Sequence, residues 1–294
     1  MATMVRPRRS VLYMPGSNAR ALEKAKSLAA DALILDLEDA VAPDAKAAAR
    51  AQVRDAARAG GYGSREVIIR TNGLDTMWGG DDLVAAATSG ADAVLLPKVE
   101  SANTVRTALS ILDGAGAPED LAIWCMMETP LGILHAEEVA SASPRLGCLV
   151  LGTSDLTKDL NARHTAQRLP LLSSLSTCVL AARAFGLAVV DGVYLDLADE
   201  AGFEAACRQG LELGFDGKTL IHPRQIEAAN RAFGPDQAQV NWARRIIDAF
   251  EDAEAEGKAV VVVDGKLVEN LHVADAKRLI ALHDAIAELE ASHD

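Results

Sequence analysis

One unit recurs through position 233 of this chain: a short apolar run, a polar loop, then an alanine-rich amphipathic segment. Apolar runs at 10–14, 32–37, 66–70, 93–96, 122–127, 148–151, 188–190 and 217–221 have the length and make-up of strands buried on both faces. The intervening stretches 19–29, 44–59, 80–89, 102–113, 133–141, 171–185, 199–213 and 223–233 read as helices. Eight strand-then-helix units in succession predict a parallel sheet wrapped by helices, and the count favours a closed (β/α)8 TIM barrel over an open sheet. No Gly-x-Gly-x-x-Gly follows the first strand, which weakens the dinucleotide-binding alternative.

Past Phe233 the pattern changes. Gly234-Pro235 interrupts the chain, and 236–256 reads as one long charged helix. The runs 260–263 and 266–268 flank Asp264-Gly265 as a hairpin would, and 273–291 has the periodicity of a last helix. A barrel does not need this segment. The predicted division is therefore a TIM-barrel catalytic domain over 1–234 and a C-terminal helix–hairpin–helix arm over 235–294, serving as a lid, an oligomer contact or both.

In such a barrel the loops after the strands build the active site, so the strand ends are the positions to read. The second strand runs into L-D-L-E-D-A-V-A-P, where Asp36, Glu38 and Asp39 fall within four residues. Carboxylates crowded at the end of a buried strand are costly unless a cation or donors meet them. Other ends are polar too: Pro15-Gly16-Ser17-Asn18, Arg70-Thr71-Asn72, Pro97-Lys98-Val99-Glu100, Glu128-Thr129, Gly152-Thr153-Ser154-Asp155, Asp191-Gly192 and His222-Pro223. Any one of them fits a helix cap, but so many charges of both signs point to a site that binds an anion through a cation. Glu128 and Asp155 follow consecutive strands and suit a metal pair completed by water and substrate oxygens, which favours Mg2+ with Mn2+ as a substitute. The alternative for Glu128 is a salt bridge to Arg70 or Lys98. With the metal in place, Arg70 is left to grip a substrate carboxylate bidentately, and Gly152, Thr153 and Ser154 offer backbone N–H groups to a second oxygen. His222 fits a structural turn as well as it fits a base.

Composition limits the partners. The formal net charge of −13 argues against nucleic acid, which requires a basic face. No apolar stretch is long enough for a membrane span, and no signal-peptide pattern follows the basic N-terminus. Cys125, Cys148, Cys178 and Cys207 lack paired spacing and read as buried free thiols, which suggests a reducing cytoplasm.

These blocks together resemble the citrate lyase β-subunits and the malyl-CoA and citramalyl-CoA lyases, within the 4-hydroxy-2-oxo acid aldolase superfamily. The resemblance rests on R-S-V-L-Y-M-P-G-S-N, L-D-L-E-D-A-V-A-P, R-T-N-G, L-L-P-K-V-E, M-M-E-T-P-L-G, G-T-S-D-L, V-D-G-V and G-F-D-G-K-T-L-I-H-P in that order. It implies a homotrimer or hexamer, Mg2+ on Glu128 and Asp155, Arg70 on the oxygens of the bound acid, and Asp36, Glu38 and Asp39 lining the metal's water shell. It further implies coenzyme A, as part of the substrate, near Tyr13, Asn18 and Lys24, with Asn18 standing where some of these lyases carry Arg.

The implied reaction is retro-Claisen cleavage of a β-hydroxyacyl-CoA such as (S)-malyl-CoA into an α-keto acid and an acyl-CoA. Malyl-CoA lyases resemble this chain in the arm as well, where an Asp in an L-V-D motif, delivered from a neighbouring subunit, serves as acid–base group. Here the stretch is Gly265-Lys266-Leu267-Val268-Glu269, so the carboxylate is one methylene longer. V-D-G-K-L-V-E-N-L-H-V is similar to the malyl-CoA thioesterase branch, which makes hydrolysis to malate and CoA the close alternative. A non-catalytic subunit of a larger lyase complex is a third reading, and capping of the last helix is the structural alternative for Glu269.

Overall fold

A computed structural model describes residues 5–291. The chain forms two compact units, Arg8–Phe233 and a second made of residues 5–7 with 234–291. In the first, eight parallel strands close in sequence order into a barrel. They are β1 (Ser10–Pro15), β2 (Ala32–Asp36), β3 (Glu66–Arg70), β4 (Ala93–Leu96), β5 (Ala122–Met127), β6 (Leu146–Leu151), β7 (Ala188–Asp191) and β8 (Gly217–Leu220). Val11 of β1 pairs with Thr219 of β8, so no strand edge is left open. The helices around it are α1 (Ala19–Ala25), α2 (Lys46–Ala59), α3 (Gly79–Ala87), α4 (Ala102–Gly114), α5 (Pro130–Leu134), α6 (Ala136–Ala140), α7 (Thr153–Asp159), α8 (Leu172–Ala184), α9 (Glu200–Leu213) and α10 (Ile226–Phe233).

Strand alternation sorts the apolar residues into two layers. Ile34, Ile68, Leu95, Trp124, Met126 and Val150 fill the barrel interior. Their chain neighbours, among them Leu33, Leu35, Ile69, Leu96, Cys125 and Leu149, face outward under the helices. At the end where the strands begin, Arg8 lies 5.1 Å from the Trp124 ring and pairs with Glu66 at 2.6 Å, so a compensated charge closes that end. At the other end the same inward register, carried two residues further along β2, β3 and β5, arrives at Asp36, Arg70 and Glu128. The periodicity that builds the core therefore also selects which side chains enter the mouth.

Several boundaries differ from the sequence expectation for local reasons. The helix expected over 133–141 is two short helices, α5 beginning at Pro130 and α6 at Ala136. The break falls at His135, whose ring bonds the Glu100 carbonyl at 2.7 Å. The segment 44–59 opens with a 3-10 turn, Pro43–Ala45, before α2 begins. Helix α7 was not expected at all: T-S-D-L-T-K-D is too polar to show an apolar face. All four cysteines are buried and unpaired.

In the second unit, α11 (Gln237–Ala255) starts at a capping box formed by Asp236 and Gln239. The hairpin of β9 (Val261–Val263) and β10 (Lys266–Val268) turns through Asp264 at φ 49° and Gly265 at φ 77°, the double positive φ of a type I′ turn. Helix α12 runs Asn270–Ala291, starting three residues earlier than its periodicity suggests. Its first turn is secured by His272 Nδ1, which accepts the Glu269 N–H at 3.1 Å. Ile246 and Phe250 of α11, Val268 of β10, and Val273 and Ala276 of α12 form this unit's own core.

Candidate active site

The centre of the mouth is Arg70. Its Nε and Nη2 each donate to one oxygen of Asp36 at 2.7 Å, a bidentate pair in which both side chains are nearly excluded from solvent. Asp36 is held from the other side by the N–H groups of Glu38 and Ala40, at 2.9 and 3.1 Å. Nη1 turns to Glu38 at 2.7 Å and to Asp39 at 3.3 Å, and the guanidinium lies 4.8 Å from the Tyr13 ring. Arg70 is thus already committed to Asp36. Any substrate carboxylate would have to take the Nη1 side from Glu38 and the exposed Asp39. Glu38 Oε2 receives no aligned hydrogen bond despite that short contact. Burial pushes the Glu38 carboxyl up to about 7 even with Arg70 alongside, and the charges of Asp39 and Asp36 add to the rise.

The acidic loop is also gripped from behind. Lys46, almost fully buried, donates to the Leu37 and Glu38 carbonyls at 2.8 and 2.7 Å, with the Trp78 ring 5.5 Å away. Asn72 donates to the Leu37 carbonyl at 2.9 Å and to Asp82 at 2.6 Å. Sequence reasoning did not single out Lys46, since a lysine opening a helix carries no signal of what it reaches. It also placed Asn72 in the polar ring, whereas the amide is spent on the scaffold.

Glu128 projects inward from the end of β5 and is buried. Among the described residues it makes no ion pair with Arg70 or Lys98; instead its Oε1 accepts the Lys98 backbone N–H at 2.8 Å. Lys98 presents that N–H from a left-handed conformation at φ 48°, rare for a side chain of its kind. On the other flank Glu128 lies against Gly152, where a Cβ would stand 2.3 Å from Glu128 Cβ and 2.5 Å from Oε2. Three residues on, in the first turn of α7, comes the half-buried Asp155, with Lys158 at 3.5 Å. Burial, then the charge of Glu38, push the Glu128 carboxyl up to about 8, with Asp155 acting in the same direction.

This donor set fits a hard divalent cation. Glu38 and Asp155 each repel Glu128 across the mouth while the Arg70 guanidinium is engaged with Asp36. No group of three or more metal-ligating side chains stands together among the described residues. Two carboxylates with room for water suit Mg2+, whereas a closed zinc site needs four protein ligands.

The remaining candidates are spread out. Tyr13 points into the barrel beside Arg70, while Asn18 and Lys24 are exposed on α1, where Asn18 caps the helix through Ala21 N–H at 3.1 Å. The Gly152 N–H is spent on the Met127 carbonyl at 3.1 Å, so of the Gly152-Thr153-Ser154 block only the latter two N–H groups open α7, where no side chain caps them. His222 accepts the Arg224 N–H at 3.1 Å through Nδ1 and so acts as a turn. Asp191 faces away from the mouth, into a pair with Lys218 and Arg168. Glu269 lies in the second unit. The His272 ring makes the cap bond there, and the Glu269 carboxylate has no hydrogen-bond partner among the described residues.

A closed parallel barrel whose strand ends gather buried carboxylates around one arginine defines a class: (β/α)8 barrels built to work at the C-terminal mouth. Within that class the chain belongs to the HpcH/HpaI aldolase/citrate lyase family, whose profile matches residues 9–223. The (3S)-malyl-CoA thioesterase of Cereibacter sphaeroides is 52% identical over 292 residues, spanning 99% of this chain and 100% of the relative. The citrate lyase subunit beta of Escherichia coli is 40% identical over 280 residues, 94% of this chain and 92% of its own length. Among solved structures, CitE from Mycobacterium tuberculosis in complex with magnesium, acetoacetate and coenzyme A superposes with a TM-score of 0.76 at 29% identity, covering 95% of this chain and 100% of that one. No helix among the described residues is long and apolar enough to cross a membrane.

Proposed function

We propose that this chain is a Mg2+-dependent enzyme that hydrolyses a malyl-CoA-type thioester to the free hydroxy acid and coenzyme A. Of the two reactions the sequence left open, the 52% identity to a malyl-CoA thioesterase over both full lengths favours hydrolysis over carbon–carbon cleavage. The structural observation that carries the reading is Glu128, buried, inward and wedged between the Lys98 N–H and Gly152, with Asp155 on the adjoining turn. Glu128 and Asp155 would hold the cation, and CitE crystallised with magnesium supports that cofactor for the family. When bound, the ion supplies positive charge to the oxygens of the hydroxy acid.

The chain's own residues do the rest. Arg70, held rigid by Asp36 and Tyr13, presents Nη1 to the anionic end of the acid once Glu38 and Asp39 yield it. Coenzyme A lies toward α1, where Asn18 and Lys24 are exposed. Glu269 takes a proton from water as the water oxygen bonds to the thioester carbon; the C–S bond then breaks and the proton passes to the departing sulfur. We propose that Glu269 reaches the mouth of a neighbouring copy. In support, the outer hairpin face, Val262 paired with Leu267, is 65% and 54% exposed, and Leu271 beside Glu269 is 64% exposed. Met77 in the loop after β3, Leu134 at the end of α5 and Leu169 in the segment after α7 are each more than half exposed. Uncovered apolar surface on both parts fits a homo-oligomer, a trimer or hexamer.

Carbon–carbon cleavage stays as the second reading because the citrate lyase relatives share the barrel and its blocks. Incubation of the purified protein with malyl-CoA and Mg2+, with mass spectrometry of the products, decides between them. Malate plus free CoA supports hydrolysis; glyoxylate plus acetyl-CoA supports cleavage. No turnover by the protein alone would return the reading of a non-catalytic subunit.

A further inference from the structure

A second charged cluster lies outside the barrel wall, behind the mouth. Asp191 ends β7 and Lys218 pairs with it in register on β8, both pointing away from the interior. Asp191 is fully buried, Lys218 is 1% exposed, and their side chains meet at 2.8 Å. Arg168, from the loop that follows α7, closes the cluster: its Nη1 lies 2.7 Å from both Asp191 oxygens and its Nε bonds Gln209 at 2.7 Å. Its backbone is left-handed, φ 51°, a conformation few residues with a side chain adopt. Burial alone would raise the Asp191 carboxyl, but Lys218 and Arg168 outweigh it and hold the group below the usual range.

The cluster touches neither the mouth nor its carboxylates, yet it controls the turn that carries one of them. Asp191 Oδ1 accepts the Gly192 N–H at 2.8 Å. Gly192 is in turn a bare shelf for Thr153: a Cβ there would stand 2.4 Å from Thr153 Oγ1 and 2.7 Å from its Cγ2. Thr153 starts α7, and its carbonyl accepts the Thr157 hydroxyl at 2.6 Å, one turn along the helix that bears Asp155. One carboxylate therefore reaches the start of α7 through Gly192 and anchors, through Arg168, the loop that follows it.

We infer that Asp191, acting through Arg168 and Gly192, is a positioning residue that sets the place of Asp155 in the metal site. The inference rests on the proposed reading of Asp155 as a cation ligand. Its test is Mn2+ binding followed by electron paramagnetic resonance, with thermal melting of the metal-free protein alongside. Arg168→Met leaves the Asp191–Lys218 pair in place, and Gly192→Ala disturbs the shelf without touching a charge. Each should weaken Mn2+ binding about tenfold, the lower end of what supporting groups around metal ligands contribute. Each should also lower kcat for malyl-CoA with KM little changed, and Arg168→Lys should recover part of the loss. If both variants melt at a lower temperature yet bind Mn2+ as the wild type does, the cluster is only structural and the inference is overturned. Asp155→Ala separates the two levels. If it too keeps full Mn2+ affinity, the ligand reading itself fails; if it alone loses binding, only the positioning role fails.

Discussion

Gly152→Ala tests the mouth by one added methyl group. Gly152 has an ordinary φ of −97°, so alanine there meets no backbone penalty and the effect is steric. The new Cβ would stand 2.3 Å from Glu128 Cβ and 2.5 Å from its Oε2, where ordinary contacts begin near 3.4 Å. Relief requires about 1 Å of movement, and the backbone of β6 cannot supply it while hydrogen-bonded into a closed barrel. Glu128 must move. Overpacking of this kind costs about 1–3 kcal/mol of stability, and displacement of a reacting group by about 1 Å costs on the order of 10²-fold in rate. The assay is malyl-CoA turnover across a Mg2+ titration, with melting of the metal-free protein as the stability control. Gly114→Ala is the steric control, since nothing lies within 4 Å of its Cβ; it should melt no lower than wild type. A Gly152→Ala enzyme with wild-type turnover and Mg2+ dependence would refute the claim that Glu128 works from the place it occupies.

Other outcomes follow from the same geometry. Asp191→Asn should destabilise the barrel by about 3–5 kcal/mol, because it leaves Arg168 and Lys218 buried without their carboxylate. The sign with pH is fixed by the lowered carboxyl. Its contribution is fully present above the unfolded value of about 4 and is lost as pH falls through the folded one, so the difference between wild type and variant in urea melts should shrink toward acid. Glu269→Gln should abolish most hydrolysis, on the order of 10²-fold or more, without shifting the melting temperature; Glu269→Asp should gain keto-acid release, seen by mass spectrometry of the products. Val262→Lys with Leu267→Lys should leave the fold intact but lower the mass in sedimentation equilibrium, whereas a wild-type protein that sediments as an active monomer would contradict the shared site.

The barrel was legible because its signal is repeated eight times, and each strand carries its inward register to the mouth without need of distant information. Asp36, Arg70 and Glu128 lie at the mouth for that reason. What the sequence could not convey was pairing. Glu128 was weighed against a salt bridge to Arg70 or Lys98, but its partner is the Lys98 backbone N–H. Arg70 was read as available to substrate, whereas two hydrogen bonds tie it to Asp36. Asp191 looked like one more member of the polar ring, and only the one-residue phase between Val190 and Asp191 turns it outward. Its partner Arg168 lies 23 residues away in an aperiodic loop, where no local pattern points to the contact.

We propose that Glu128 and Asp155 jointly hold one divalent cation at the barrel mouth. Anomalous diffraction at the manganese edge, from crystals grown with Mn2+ and malate, tests it most directly. One strong peak is expected within coordinating distance of a carboxylate oxygen of each residue. A peak bound elsewhere, or one that persists at full height in Glu128→Ala, would contradict it.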